Sequence, residues 1–269
     1  MIRQFTLLLL LFLATANVLA QESTASKQVS TFTIEAPQLH STKKIWIYLP
    51  KNYTTSTKKK FPVIYMHDAQ NLFDAKTSYI GEWNVDEKLD SLNAQVIIVG
   101  IEHGNDKRTD ELTPFKHIKY GGGKADDYLD FIVKTLKPEI DAKYRTKINA
   151  RNTCIMGSSI GGLTSFYAAL KYPETFGKVG CFSPAFWFNR KEMNELMAQT
   201  KTFNTKVYFV CGDNEGDADV IPDMKAVEYW VNTKRCQCKN LNKEVIVKGG
   251  QHNEKLWRNS FVKAYLWLF

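Results

Sequence analysis

The chain has 269 residues, of which 44% are apolar and 13% aromatic, and a formal net charge of +8. This is enough apolar material for one large hydrophobic core, and the length allows one or two domains. The lysines are scattered and form no basic stripe interleaved with aromatic residues, which excludes the usual pattern of a nucleic-acid-binding protein. We expect the positive charge to lie on a solvated surface, where it favours anionic substrates.

Residues 1–20 predict a secretory signal peptide. Arg3 precedes the apolar run "TLLLLLFLATANVLA", whose small terminal residues predict cleavage after Ala20. The run is short for a membrane span, and an uncleaved N-terminal anchor is the alternative. We therefore expect a periplasmic or secreted protein with no stable membrane insertion after cleavage. Residues 21–30 are interpreted as a polar leader and residues 31–269 as a single domain, while the oligomeric state stays open.

Strand-like and helix-like segments alternate after the leader. The strand candidates are residues 30–37, 43–50, 61–68, 94–103, 152–158, 178–184, 206–213 and 243–250. Several are near-continuous apolar runs, typical of strands buried on both faces, and the first two indicate an edge hairpin. Helical apolar stripes are formed by Tyr128, Phe131, Ile132 and Leu136; by Leu163, Phe166, Tyr167 and Leu170; and by Trp257, Phe261, Ala264, Tyr265 and Leu268. The alternation predicts an α/β fold with a mostly parallel eight-stranded sheet and helices on both faces.

The cysteines give no sign of a metal site. Cys154, Cys181 and Cys211 lie in apolar strand candidates and are expected to be buried free thiols. Cys236 and Cys238 have polar neighbours and are open to oxidation in an exported protein. No cysteine–histidine spacing indicates zinc, so we expect no metal site.

The segment "GSSIG" between a predicted strand and a predicted helix matches the nucleophile elbow G-x-S-x-G, with Gly157, Ser159 and Gly161 in the fixed positions. A sharp strand-to-helix turn presents the serine oxygen above the sheet, and side chains two residues away on either side would collide with neighbouring elements. The helix that follows favours developing negative charge at the same place. Ser158 is interpreted as a small turn residue. A phosphate-binding or purely structural glycine turn is the alternative.

In this architecture the acid and then the histidine follow the serine along the chain. His252 is the one histidine after Ser159 and lies between the last strand and the last helix; a loop or capping role is the alternative. Five carboxylates follow the seventh strand, and the residues alone leave the choice open: Asp213, Glu215, Asp217, Asp219 and Asp223. Most of them should be solvated or capping, as Asp219 is for a helix beginning near Ile221.

Two backbone N–H groups are needed to hold an oxyanion. Ile160 follows the nucleophile, and Ala69 lies in the loop after the third strand, with Asp68 and Gln70 as neighbouring alternatives. His67 is interpreted as a loop-ordering residue. His40, His103 and His117 have no motif around them and are expected at the surface. Tentative substrate-binding residues are Gln70 and, within the aromatic run Phe186–Phe188, Trp187, although packing beneath the sheet end explains that run equally well.

Taken together, these segments resemble the "putative esterase" branch of the α/β-hydrolases, which includes enterochelin, feruloyl and acetyl-xylan esterases and S-formylglutathione hydrolases. The matching segments include "VIYMHDAQNLFD", "RTDELTPF", "IMGSSIGGLTSFYAALKYPETFG", "VCGDNE" and "GGQHNEKLW", and they span the chain from about Ile45 to its end. The resemblance implies a triad of Ser159, Glu215 and His252, with Glu215 chosen by the G-x-x-E frame. Ala69 replaces the glycine of the family's "HDG" loop, and Arg108 and Glu111 correspond to a loop-organising pair.

The resemblance implies a serine carboxylic-ester hydrolase that works through an acyl-enzyme and needs no metal or organic cofactor. The signal-peptide pattern of residues 1–20 adds the expectation that it is periplasmic or secreted. The substrate class is a siderophore trilactone or a feruloylated or acetylated glycan. Two other functions stay open: a catalytically silent α/β-hydrolase scaffold used for binding, and an acyltransferase in which a sugar hydroxyl replaces water.

Overall fold

An eight-stranded sheet forms the centre of the computed structural model, which describes residues 22–234 and 241–269. The strands are β1 (Val29–Ala36), β2 (Ser41–Tyr48), β3 (Val63–His67), β4 (Ile97–Ile101), β5 (Thr153–Ser158), β6 (Lys178–Phe182), β7 (Lys206–Gly212) and β8 (Asn242–Val247). Their spatial order is β1-β2-β4-β3-β5-β6-β7-β8. Strand β2 runs antiparallel to both β1 and β4, and the other strand pairs are parallel. The prediction of a mostly parallel sheet with an edge hairpin is confirmed.

Helices cover both faces of this sheet, as predicted. They are α1 (Val85–Ser91), α2 (Arg108–Glu111), α3 (Ala125–Phe131), α4 (Lys137–Lys143), α5 (Ile160–Lys171), α6 (Arg190–Gln199), α7 (Val220–Lys234) and α8 (Glu254–Leu268). Alternate strand residues face two separate cores: Val63 and Tyr65 share one with α3–α7, and Ile64 and Met66 share the other with α1 and α8. This alternation follows from the two-residue period of a strand.

The last helix shows how the apolar stripe fixes an element. Its five predicted stripe residues, from Trp257 to Leu268, are all buried against the sheet. The side chain of Asn253 accepts a hydrogen bond of 3.2 Å from the Leu256 N–H and caps the helix N-terminus. Because the helix begins at Glu254, the loop residue His252 is held at the carboxyl edge of the sheet.

The segment before β1 is bound to the body of the protein. Strand β1 begins at Val29, slightly before the predicted domain boundary, and Ser23 and Thr24 hydrogen-bond to carboxylates of the loop after β3. The predicted signal peptide and the pair Cys236 and Cys238 lie outside the described residues. Cys154, Cys181 and Cys211 are buried free thiols, as expected. Within the described ranges, none of the helices has the length and apolar character needed to cross a membrane.

Candidate active site

Ser159 lies in a strained turn at the carboxyl edge of the sheet. Its backbone angles, φ 57° and ψ −125°, are rare for a residue with a side chain, and it joins β5 directly to α5. Hydrogen bonds hold the turn: the Ser159 N–H donates to the Phe182 carbonyl at 2.9 Å, and the Ser159 carbonyl accepts from Gly162, Leu163 and Ala185. Such a conformation costs about 1–3 kcal/mol and persists only where the surroundings enforce it. The predicted strand–serine–helix turn is therefore present.

Two glycines make this turn sterically feasible, but they are not the expected pair. A Cβ atom on Gly157 would lie 2.8 Å from the His67 ring, so no side chain fits there. A Cβ on Gly161 would make only ordinary contacts of 3.5 Å, whereas one on Gly162 would lie 3.1 Å from Pro184. The expectation of a collision at Gly161 was wrong, because the first turn of α5 brings Gly162 against the chain after β6.

Glu215 and His252 form the central contact of the site. His252 Nδ1 lies 2.9 Å from Glu215 Oε2, and the Glu215 side chain is 1% exposed. Because an ionised carboxylate only accepts hydrogen bonds, Nδ1 carries the proton and Nε2 is left as the basic nitrogen. The indole of Trp257 packs edge-on against the imidazole, with ring centroids 5.2 Å apart. Glu215 thereby fixes the tautomer and orientation of His252.

The four aspartates that were alternative candidates to Glu215 bind other partners. Asp213 Oδ1 accepts from the Gly249 N–H at 2.6 Å, and Asp217 accepts from the Asp219 N–H at 2.9 Å. Asp219 and Asp223 both bind the guanidinium of Arg190. The capping role expected for the Asp219 side chain was wrong, because Arg190 holds its carboxylate beside α7. Of the five carboxylates, Glu215 is the one in contact with the imidazole.

The second oxygen of Glu215 is also fully engaged. Oε1 accepts hydrogen bonds of 2.6 Å from both the Gly212 N–H and the Ser183 hydroxyl. Burial alone raises the pKa of the Glu215 carboxyl, but the hydrogen bonds from His252, Gly212 and Ser183 outweigh it and hold the pKa below its usual value. Glu215 is therefore a buried carboxylate that stays ionised near neutral pH.

The two predicted oxyanion N–H groups lie at the starts of two helical segments. Ile160 is the first residue of α5, and Ala69 opens a short 3₁₀ turn, Ala69–Asn71. Across the described residues, neither N–H has a hydrogen-bond acceptor. Asp68, not Ala69, takes the left-handed conformation in this loop, with φ 58°, so the alanine needs no glycine-like freedom. Gly100 on β4 leaves the space that the Ala69 methyl group occupies.

Arg108 and Glu111 organise the surrounding loops through separate partners. Arg108 binds Asp68 with both arms of its guanidinium, at 2.8 and 2.7 Å. Glu111 binds the buried Lys43 at 2.6 Å and the Gly104 N–H at 3.0 Å. The expected pair therefore do not contact each other through a salt bridge; each ties a different loop to the carboxyl edge of the sheet.

His67 is a buried structural histidine beneath the elbow. Its Nδ1 lies 2.8 Å from the Tyr128 hydroxyl, and Nε2 is buried without a hydrogen-bond partner. Burial lowers the pKa of His67 to about 4, so the ring is neutral at physiological pH. This placement agrees with the loop-ordering role assigned to it.

A cavity of about 440 Å³ connects the elbow to His252. Its lining contains Ser159 and His252. The other polar residues of the lining include Arg108, His103 and Glu254, and the apolar ones include Tyr79, Ile80 and Trp257. Tyr79 and Ile80 are 86% and 70% exposed and form the rim. The serine and the imidazole thus face one open, mixed polar and apolar space.

Two expected binding residues lie outside this lining. Gln70 turns its side-chain oxygen to the His103 N–H, at 3.3 Å. Trp187 is half-buried in an aromatic cluster with His117, Tyr120 and Phe188. A substrate role for Gln70 and Trp187 stays a prediction for groups that extend beyond the cavity.

Comparison with known proteins identifies the family. A family model described as "Putative esterase" matches residues 36–268. The chain belongs to this esterase family. It is 26% identical over 243 residues to the uncharacterised protein YbbA of Bacillus subtilis (strain 168), covering 84% of this chain and 92% of YbbA. It is 25% identical over 190 residues to the ferri-bacillibactin esterase BesA of the same strain, covering 63% and 64%.

Solved structures show the same fold. The enterobactin esterase FES from Shigella flexneri, determined in the presence of enterobactin, aligns with a TM-score of 0.73 and 17% identity. The alignment covers 91% of this chain and 60% of that one. This match shows a common α/β fold. Membership of the esterase family identifies the chain as a carboxylic-ester hydrolase.

Some residues of the candidate site were not anticipated from the sequence. Ser183 and Trp257 support Glu215 and His252, and His103, expected at the surface, is half-buried in the cavity wall. Burial lowers the pKa of His103 and raises that of Glu254, which also faces the cavity. Ser183 directly follows β6, and residues at the carboxyl ends of parallel strands converge on one edge of the sheet. That rule could have placed Ser183 at the site from the sequence. Nothing in the sequence pattern marks Glu254.

Proposed function

We propose that Ser159, His252 and Glu215 are the catalytic triad of this esterase. The observation that carries the proposal is the 2.9 Å contact between Glu215 and His252, with Ser159 facing the same cavity. A proton held on Nδ1 leaves Nε2 free to accept the Ser159 proton, which a serine needs before it can act as a nucleophile.

In this mechanism Ser159 Oγ attacks the ester carbonyl while His252 Nε2 takes its proton. The N–H groups of Ala69 and Ile160 stabilise the negative oxygen of the tetrahedral intermediate. His252 then returns the proton to the leaving alcohol, and an acyl-enzyme remains. Water, deprotonated by His252, attacks the acyl group; the carboxylic acid leaves and Ser159 regains its proton.

The proposed substrate is an ester of a siderophore. The cavity is open and has an exposed aromatic and aliphatic rim, Tyr79 and Ile80, on which a catechol ring can pack. BesA, a relative over about two thirds of each chain, is a ferri-bacillibactin esterase, which supports the same substrate class here.

The test is hydrolysis of ferric and metal-free catecholate trilactones, compared with methyl ferulate and acetylated xylan. We expect trilactone cleavage to have the highest kcat/KM, and Ser159→Ala to reduce it by roughly 10⁶. Ser158→Ala is the matched control and should keep most of the activity. Faster cleavage of a glycan ester would show that the substrate is a glycan ester and not a siderophore. Formation of new esters with added alcohols in preference to hydrolysis would indicate an acyltransferase. Unchanged turnover in Ser159→Ala would reject the triad.

We further propose that this esterase is exported. The pattern of residues 1–20 supports this location. Intact-mass measurement of the protein recovered from periplasm or medium should give a chain that begins at Gln21. A mass that includes residues 1–20 would contradict cleavage.

A further inference from the structure

A group of three carboxylates lies away from the proposed triad, between the N-terminal segment and α1. Oxygen atoms of Glu82, Asp86 and Glu87 lie within 4.8 Å of one another. Glu82 and Asp86 are only 5% and 0% exposed. None of the three forms an ion pair in the part of the chain that the structure describes.

Each carboxylate is anchored by one oxygen and leaves the other without a partner. Glu82 Oε2 accepts from the Thr24 hydroxyl at 2.9 Å, Asp86 Oδ2 from the Ser26 N–H at 2.7 Å, and Glu87 Oε1 from the Asn84 amide at 3.3 Å. The second oxygens, Glu82 Oε1, Asp86 Oδ1 and Glu87 Oε2, are all buried and have no hydrogen-bond partner. These are the atoms that a cation would bind.

Arg258 lies beside the group without pairing with its carboxylates. Arg258 donates to the Glu82 carbonyl at 3.1 Å and to the Asn84 side chain at 3.3 Å, and not to any of the three carboxylates. Three close carboxylates in a buried place therefore need either a proton or a metal ion.

We infer that Glu82, Asp86 and Glu87 bind a calcium ion. Calcium prefers carboxylate oxygens at about 2.3–2.6 Å, so two of its ligands are at most ~5 Å apart, which agrees with the observed spacing. The donor set is all oxygen, which disfavours zinc and copper. The Ser26 hydroxyl, also buried and without a hydrogen-bond partner, belongs to the segment that already binds Asp86, and water would complete the coordination.

This site has a structural consequence that is separate from the proposed triad. Thr24 and Ser26 anchor the same carboxylates, so the ion would fasten the N-terminal segment to the loop that carries Tyr79 and Ile80. The proposal therefore concerns stability and the order of the cavity rim, and it does not depend on the role of Ser159.

The experiment is calorimetric titration of the metal-depleted protein with CaCl₂, combined with thermal unfolding in CaCl₂ or EDTA. We expect one bound ion per chain and a Tm about 5 °C higher at calcium concentrations a hundredfold above Kd. Glu87→Gln and Asp86→Asn should lose both effects. Glu195→Gln, which removes an exposed carboxylate on α6, is the control and should keep them.

Other results of these measurements would contradict a calcium site. No calcium heat and no Tm shift in the unmodified protein would overturn the proposal, as would an equal shift in all variants. Stabilisation by Asp86→Asn without any calcium response would show that the group holds a proton instead. If the variants fail to fold, Tb³⁺ luminescence excited through Trp83, the neighbour of Glu82, tests the unmodified protein. Loss of that signal on adding CaCl₂ supports the site, and absence of a displaceable signal rejects it.

Discussion

The hydroxyl of Ser183 donates a hydrogen bond of 2.6 Å to Glu215 Oε1 while it accepts one of 2.8 Å from the indole of Trp257. Trp257 in turn packs against the imidazole of His252. The proposed acid and base are therefore held by a common pair of residues as well as by each other. Ser183 is fully buried and adopts φ 42°, so its position is tightly determined.

Ser183→Ala should lower kcat by about tenfold with little change in KM, since a hydrogen bond to a charged group contributes about 1.5–3 kcal/mol. Loss of that bond also raises the pKa of Glu215, so activity should begin to fall at a higher pH as the solution is acidified. A pH–rate profile with a soluble ester measures both effects. Ser165→Ala removes a buried hydroxyl bonded to the Gly161 carbonyl and is the control. Equal losses of activity in the two variants would show that Ser183 contributes through packing and not through its hydrogen bond to Glu215.

Glu215→Gln should lower turnover by up to about 10⁴-fold, because an amide no longer enforces the correct tautomer of His252. Asp213→Asn, Asp217→Asn, Asp219→Asn and Asp223→Asn should cost far less, since their carboxylates bind other partners. All five variants are assayed on one activated ester after their thermal unfolding has been checked. A folded, inactive Asp217→Asn beside an active Glu215→Gln would move the role to Asp217.

Arg108→Lys should reduce kcat/KM for a neutral ester by roughly tenfold to a hundredfold, less than the loss of an oxyanion donor. Lysine cannot form both bonds to Asp68, and the loop that carries Ala69 loses its brace. A neutral ester removes any charge attraction to Arg108 from the comparison. Arg190→Lys, which also loses a two-carboxylate contact, serves as control. If only anionic esters were affected, Arg108 would act on the substrate and not on the loop.

The buried His67 should make the protein sensitive to mild acid. The unfolded chain gains a proton near the ordinary histidine pKa of 6.5, whereas folded His67 does so only near 4. The free energy of unfolding should therefore have its full value above the histidine pKa of the unfolded chain. It should fall by up to about 3 kcal/mol as the pH drops from that pKa to the lower pKa of folded His67.

Denaturant titrations at several pH values measure this dependence. His67→Asn should flatten it, while His40→Asn, at an exposed histidine, should leave it unchanged. Identical curves for His67→Asn and the unmodified protein would contradict a buried neutral ring.

The fold and the elbow were predictable because their signals are local. Continuous apolar runs mark β3, β5 and β7, and the spacing from Gly157 to Gly161 marks the turn. The proposed triad acid was not predictable from local signals. Five carboxylates follow β7, and only the family resemblance singled out Glu215. The residues themselves could not decide, because the contact with His252 joins positions 37 apart in sequence.

The supporting residues were harder still to predict. Ser183 and Trp257 meet across 74 positions, and each has an ordinary local explanation, a turn serine and a helix stripe. The motif also suggested a collision at Gly161, but a side chain there would make only ordinary contacts, and the tight contact lies at Gly162 instead. Motifs predict where a chain turns; only tertiary packing determines which neighbours enforce the turn.

The backbone at Ser159 has an evolutionary consequence. A side chain at φ 57° and ψ −125° is kept against a conformational cost, and glycine at the same place would adopt these angles freely. Replacement of Ser159, the proposed nucleophile, by glycine would therefore yield a protein at least as stable as the unmodified one. Stability alone cannot retain this serine, so descendants freed from selection for turnover should drift easily into inactive, well-folded proteins.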